Sequence, residues 1–212
     1  LGFLSPMEFI PLFEKNGFIV NLDLFVFEQV CRLLKQWKAA HKRLFPISVN
    51  MSRVHLMKPD FLDDYIAIIN RYQIPASLLE IELTETMVFE NPKAFHSIIQ
   101  KIHEAGFTCS MDDFGSGYSS LNMLKDLELD TVKLDGAFFS SRGMDNPKEN
   151  IVVKSMLDLT KKLDMATVAE GIETDKQMDF LRLTSCDLVQ GYVISKPVPV
   201  REFEMLVSSQ KI

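Results

Sequence analysis

The chain has 212 residues, 47% of them hydrophobic and 25% charged, which is the composition of an ordinary globular protein able to bury a core. A formal net charge of -6 argues against broad electrostatic attraction to a nucleic-acid polymer or an anionic membrane, so a phosphate substrate would need a metal to bring it in. Cys31, Cys109 and Cys186 form no CxxC pair, and His41, His55, His96 and His103 show no HxxxH or HExxH spacing, which disfavours a disulfide framework and a zinc hydrolase and favours free thiols in a reducing compartment.

No apolar run reaches ~18 residues and no signal-peptide pattern is present, so the expected location is cytoplasmic, without membrane contact by this segment. No repeat, low-complexity stretch or Pro/Gly-rich linker divides the sequence, which reads as one domain over 1–212. Two helices come first, over roughly 5–16 and from Asn21 to about His41, the second with Leu24, Phe27, Cys31 and Leu34 at helical spacing.

Short apolar strands then alternate with helices. The strands are FPISVNMS (45–52), LLEIELTE (78–85), FTCSMDDF (107–114), TVKLDGAF (131–138), MATVAEGI (165–172) and DLVQGYVI (187–194). Between them KPDFLDDYIAIINRY, NPKAFHSIIQKIHEAG, SSLNMLKDL, NPKENIVVKSMLDLTKKL and DKQMDFLRL have helical patterns, several opening at a cap or a proline. Alternation of this length predicts an α/β fold with a parallel sheet. A (β/α)8 barrel is preferred over a doubly wound sheet because strand after strand carries polar residues at its C-terminal end, where the loops of a barrel meet.

Side chains alternate along a strand, so the bulky apolar residues identify the face turned to the helices. Val49 and Met51 facing out turn Asn50 inward; Ile81 and Leu83 do the same for Glu82, Met111 for Asp112, Val132 and Leu134 for Lys133, Ala169 for Glu170, and Val189 for Gln190. Each alone is as well read as a polar strand end satisfied by loop backbone. Six with matching parity point to one site, since converging acidic and amide groups are costly without compensation. Asn and carboxylate oxygens suit hard cations such as Mg2+ or Mn2+, and Asp112 is placed to bridge two ions.

Glu85 and Asp113 have the opposite parity. Asp113 reaches the same ion only if the backbone turns there. Glu85 is read as a group gripping the GSGYSS loop, with a solvated loop charge as its alternative. Lys133 invites a Schiff-base reading, which needs a neutral amine; the carboxylates expected around it favour the ammonium, which would hold a water or a phosphate oxygen.

FIPLFEKNG, SVNMS, EIELTET, MDDFGSGYSSL, VKLD, VAEGIET and QGYVISKP, in this order and spacing, resemble the EAL family of cyclic-di-GMP phosphodiesterases across essentially the whole chain. The resemblance implies a TIM-like barrel with one antiparallel strand, cleaving cyclic di-GMP to linear pGpG by two-metal hydrolysis with Mg2+ or Mn2+. It further implies metal ligation by Asn50, Glu82, Asp112 and Asp113, with Glu170 beside the second ion. Lys133 and Gln190 would position water or phosphate, and Glu85 would anchor the loop at 114–120. A homodimer packed near that loop and fusion to sensory or GGDEF-type domains are implied as well. The alternative in the same family is a catalytically silent cyclic-di-GMP receptor; such members lose acidic residues, and those visible here are retained.

Three features depart from the family pattern. The first strand with its Glu-Ala-Leu tripeptide is absent from this sequence, so the domain is expected to be N-terminally incomplete, short of one ligating Glu and one Arg. His55 stands where Gln is usual, and Gly136 where a basic or polar residue is commoner.

Overall fold

The computed structural model describes residues 4–90, 92–115, 124–139 and 146–209. The chain divides into two compact units, Leu1–Ser110 with Asp126–Leu129, and Met111–Lys125 with Asp130–Ile212.

The first unit opens with α1 (Pro6–Asn16) and α2 (Ile19–Ala39). Pro6 occupies the first turn, where its missing N–H costs nothing, and Glu8 Oε2 accepts the Ser5 N–H at 2.8 Å. The strands β1 (Ile47–Asn50) and β2 (Leu79–Thr84) are parallel, with Val49 opposite Ile81 and Asn50 opposite Glu82. Between them lies α3 (Asp63–Tyr72). After β2 come α4 (Glu85–Glu90) and α5 (Pro92–Glu104), and Gly106 at φ 87° ends the helical run by taking a conformation that other residues resist. Ile81 and Leu83 are wholly buried, each contributing about 1.5–3 kcal/mol. A one-residue slip of β2 would put Glu80 and Glu82 in their place, so the burial sets the register. Phe27, Cys31 and Leu34 of α2 are fully buried in the same unit, Phe27 edge-on to Tyr65 of α3 at 4.7 Å between ring centres.

The strand β3 (Thr108–Phe114) contributes its first residues to the first unit and Met111 onward to the second. In the second unit β4 (Thr131–Leu134), β5 (Ala166–Ala169) and β6 (Leu188–Val189) are parallel in chain order, with Leu134 opposite Ala169 and Ala169 opposite Val189. Helix α6 (Pro147–Lys162) joins β4 to β5, α7 (Asp175–Leu181) joins β5 to β6, and α8 (Val200–Ser208) follows. The Asn146 side chain accepts the Lys148 N–H at the start of α6, and Thr174 caps α7. Met111, Val132, Leu134, Leu157, Ala169 and Ile172 form the core of this unit.

Several expected bounds are corrected. The strand expected over 131–138 stops at Leu134 and turns into a 3-10 segment at Gly136–Phe139. The one expected over 187–194 is two residues long, because the chain turns at Gly191, whose carbonyl accepts the Ile194 N–H. Glu85 opens a helix rather than ending a strand. Most of the helix expected in SSLNMLKDL lies outside the described residues. No described helix is long and apolar enough to cross a membrane.

Candidate metal centre

Of the outward set identified by parity, Val49, Met51, Ile81, Leu83, Met111, Val132, Leu134 and Ala169 are each at most 5% exposed, whereas Val189 is only half-buried. The polar residues between them therefore share the opposite face. In the first unit that face carries Asn50, exposed, and Glu82, buried, as register partners on adjacent strands.

In the second unit the same rule brings Asp112, Lys133 and Glu170 together. Lys133 Nζ lies 2.7 Å from Glu170 Oε1 and 3.4 Å from Asp112 Oδ1. Glu170 is one residue beyond β5 but still in the ladder, its N–H donating to the Leu134 carbonyl at 3.0 Å. Gln190 is likewise one residue beyond β6, its N–H donating to the Ala169 carbonyl at 2.8 Å, and its side chain is exposed.

Asp113 joins the cluster by breaking the alternation. Its φ of 55° is left-handed, a conformation that costs most residues of order 1–3 kcal/mol and that Asp tolerates better than most. The turn lets consecutive residues serve one place: carboxylate oxygens of Asp112, Asp113 and Glu170 all lie within 4.8 Å of one another.

Three carboxylates around one ammonium leave a formal excess of two negative charges. Burial pushes the Glu170 carboxyl above its ordinary value; the contact with Lys133 pulls it back, and the charges of Asp112 and Asp113 raise it further. An all-oxygen donor set with this charge excess fits a hard divalent cation. Lys133 is 5% exposed and paired with two carboxylates, an arrangement suited to a fixed positive charge and ill suited to a Schiff-base amine.

Glu85 is 4% exposed at the start of α4, which excludes the solvated loop charge. The loop it was expected to grip lies at 114–120, and residues 116–120 are outside the described residues.

The backbone beside the cluster is tightly fitted. A Cβ on Gly171, which has φ 63°, would stand 3.0 Å from the Gly136 Cα, so the segments following β4 and β5 pass each other backbone to backbone.

Residues 1–197 match the EAL domain family model. The chain belongs to the EAL domain family. It is 34% identical over 209 residues to the probable cyclic di-GMP phosphodiesterase PdeG of Escherichia coli, covering 99% of this chain and 41% of that protein. It is 36% identical over 207 residues to the cyclic di-GMP phosphodiesterase NbdA of Pseudomonas aeruginosa, covering 96% of this chain and 26% of that one. The chain thus spans well under half the length of these relatives. Among solved structures, the PaMucR phosphodiesterase in complex with c-di-GMP superposes with a TM-score of 0.87 at 30% identity, over 95% of this chain and 81% of that one. The α/β barrel class expected from the strand ends is accordingly the fold of this EAL chain.

The turn on which Asp113 depended is present, at a φ of 55°, and the following GSGYSS stretch is its local signal. One polar set in the first unit escaped the sequence reading. The set Glu14, Asp23, Ser52, His55 and Tyr65, which holds the chain just after Asn50, has no local signal, because its members come from four separate segments.

Proposed function

We propose that this EAL chain is a catalytic domain that hydrolyses one phosphodiester bond of cyclic di-GMP to give linear pGpG, using two divalent cations, Mg2+ or Mn2+. The observation that carries the reading is the grouping of Asp112, Asp113 and Glu170 about Lys133, with its excess of negative charge. The names of PdeG and NbdA and the c-di-GMP complex of PaMucR support the substrate.

In this reading Asn50, Glu82, Asp112, Asp113 and Glu170 hold the cations. Bound there, the ions supply charge neutralisation and activation of a water at neutral pH. Lys133 keeps a fixed ammonium directed at the attacked phosphate or the attacking water, and its pairing with Glu170 and Asp112 orients it before substrate arrives. Gln190 offers a neutral amide to the same phosphate, which binds without adding charge. Glu85 acts from behind the ligands as a positioning group. The domain works in the cytoplasm as a homodimer, joined in its parent protein to sensory or GGDEF-type domains.

The test is incubation of the chain, and of its natural parent protein, with cyclic di-GMP in Mg2+, in Mn2+ and in excess EDTA, followed by chromatography for pGpG. Product from the parent protein in either metal and none in EDTA is expected. Tight binding of cyclic di-GMP with no pGpG from the parent protein in either ion would replace the enzyme with a receptor.

A further inference from the structure

Beneath the end of β1 the first unit holds a polar network whose members the sequence left unassigned. Asn50 is the last residue of β1, and the following residue, Met51, still pairs with β2 through its N–H to the Glu82 carbonyl at 3.0 Å. The chain then leaves the sheet at Ser52, where two helices hold it. The Ser52 N–H donates to Asp23 Oδ2 on α2 at 2.9 Å, and the Ser52 hydroxyl donates to Glu14 Oε1 on α1 at 3.0 Å.

Asp23 is in turn held by His55. The imidazole Nε2 lies 3.1 Å from Asp23 Oδ2 and 3.2 Å from the Tyr65 hydroxyl oxygen. A carboxylate only accepts, so Nε2 carries the hydrogen and donates to Asp23. The His55 side chain is 4% exposed and that of Asp23 11%, so neither is free to exchange its partner for bulk water. Tyr65 is wholly buried, with its ring edge-on to the imidazole at 5.3 Å between centres, which limits the angles the imidazole can adopt. The ring thus orients the carboxylate, the carboxylate holds the Ser52 amide, and Ser52 fixes the chain two residues beyond Asn50.

A sheet interior needs no such arrangement to keep its register; the ladder and the burial of Val49 and Met51 suffice. What the network adds is control of the direction in which the chain leaves β1, and hence of the backbone carrying the exposed Asn50 amide beside Glu82. We infer that His55, acting through Asp23 and Ser52, is a positioning residue that sets the Asn50 side chain for cation binding. The inference rests on the reading of Asn50 as a metal ligand given above.

The experiment is calorimetric titration of the chain with Mn2+, together with thermal melts, for Asn50→Ala, His55→Leu, His55→Gln and the double variant Asn50→Ala/His55→Leu. Loss of a group that orients a ligand weakens metal affinity about 10–100-fold, so His55→Leu is expected to weaken Mn2+ binding by about ten-fold or more. His55→Gln keeps an N–H donor for Asp23 and is expected to bind within about three-fold of the parent chain. Because His55 acts through Asn50, the double variant should bind no more weakly than Asn50→Ala alone, a coupling that a purely stabilising role would not produce. Should His55→Leu fail to fold, Glu14→Ala takes its place in the same cycle, since Glu14 is only half-buried and holds Ser52 from the other helix. Weakened binding by Asn50→Ala with unchanged binding by the network variants, or additive losses in the double variant, overturns the inference and leaves the ligand reading intact. Unchanged binding in Asn50→Ala overturns the ligand reading, and the inference falls with it.

Discussion

The ammonium of Lys133 lies 2.7 Å from Oε1 of Glu170, and both side chains are largely withdrawn from water, at 7% and 16% exposure. With Asp112 and Asp113 adjoining, the Lys133 ammonium offsets one of the three carboxylate charges of the cluster. Removing one partner of a buried pair is costly, about 3–5 kcal/mol, because the other charge is left uncompensated. Lys133→Met is therefore expected to lower the melting temperature markedly in EDTA, and Mn2+ should recover more of it than it adds to the parent chain. Turnover of cyclic di-GMP should fall about a hundredfold or more even in saturating metal. Melts with and without Mn2+, alongside pGpG release, check both; a loss of stability indifferent to Mn2+ would contradict the charge argument.

Asp112→Asn and Glu82→Gln each keep the volume of a proposed ligand and remove its charge. Both are expected to abolish hydrolysis, since an incomplete ligand set would no longer hold the cations that the proposed reading requires. Assays at saturating Mn2+ decide the matter. Residual turnover above about a tenth of the parent rate in either variant would contradict the two-metal assignment.

Glu85 is buried at the start of α4, and its role is expected to differ in kind. Glu85→Ala should raise the Mn2+ concentration for half-maximal rate about ten-fold, as loss of a positioning group commonly does. It should also increase deuterium uptake across 114–120. No change in either measurement would reduce Glu85 to a structural side chain of α4.

The close approach of Gly136 and Gly171 gives a prediction for stability. Gly171→Ala places a Cβ 3.0 Å from the Gly136 Cα at a φ of 63°, and is expected to cost about 1–3 kcal/mol. Gly136→Ala meets the Gly171 Cα at 3.2 Å without an unfavourable φ and should cost less. Urea melts of the two variants give the order. Because Gly171 follows Glu170, the first variant should lose turnover as well as stability.

Much of the fold was legible because burial repeats with the period of the strand. Val49, Ile81, Leu83, Met111 and Val132 had only to alternate with polar neighbours for their face to be known, and all five are buried. The same periodicity placed Asp112, Lys133 and Glu170 on one face, where the structure brings them within ion-pair distance. What the alternation assigns wrongly is any residue whose backbone departs from extended geometry. Asp113 is such a residue: a φ of 55° turns it toward Asp112 and Glu170, whereas an extended strand would carry it to the other face.

The sequence by itself determined the order of strands and helices, the face each strand buries and the acidic character of the site, since all of these follow from neighbours two to four positions apart. Only the tertiary structure decided that Ser52 would be held by Glu14 and Asp23, and Asp23 by His55, contacts that join residues 38, 29 and 32 positions apart. Hydrogen bonds of that kind leave no periodic trace, because a single donor and acceptor suffice and the chain between them is free to take any length that closes the loop.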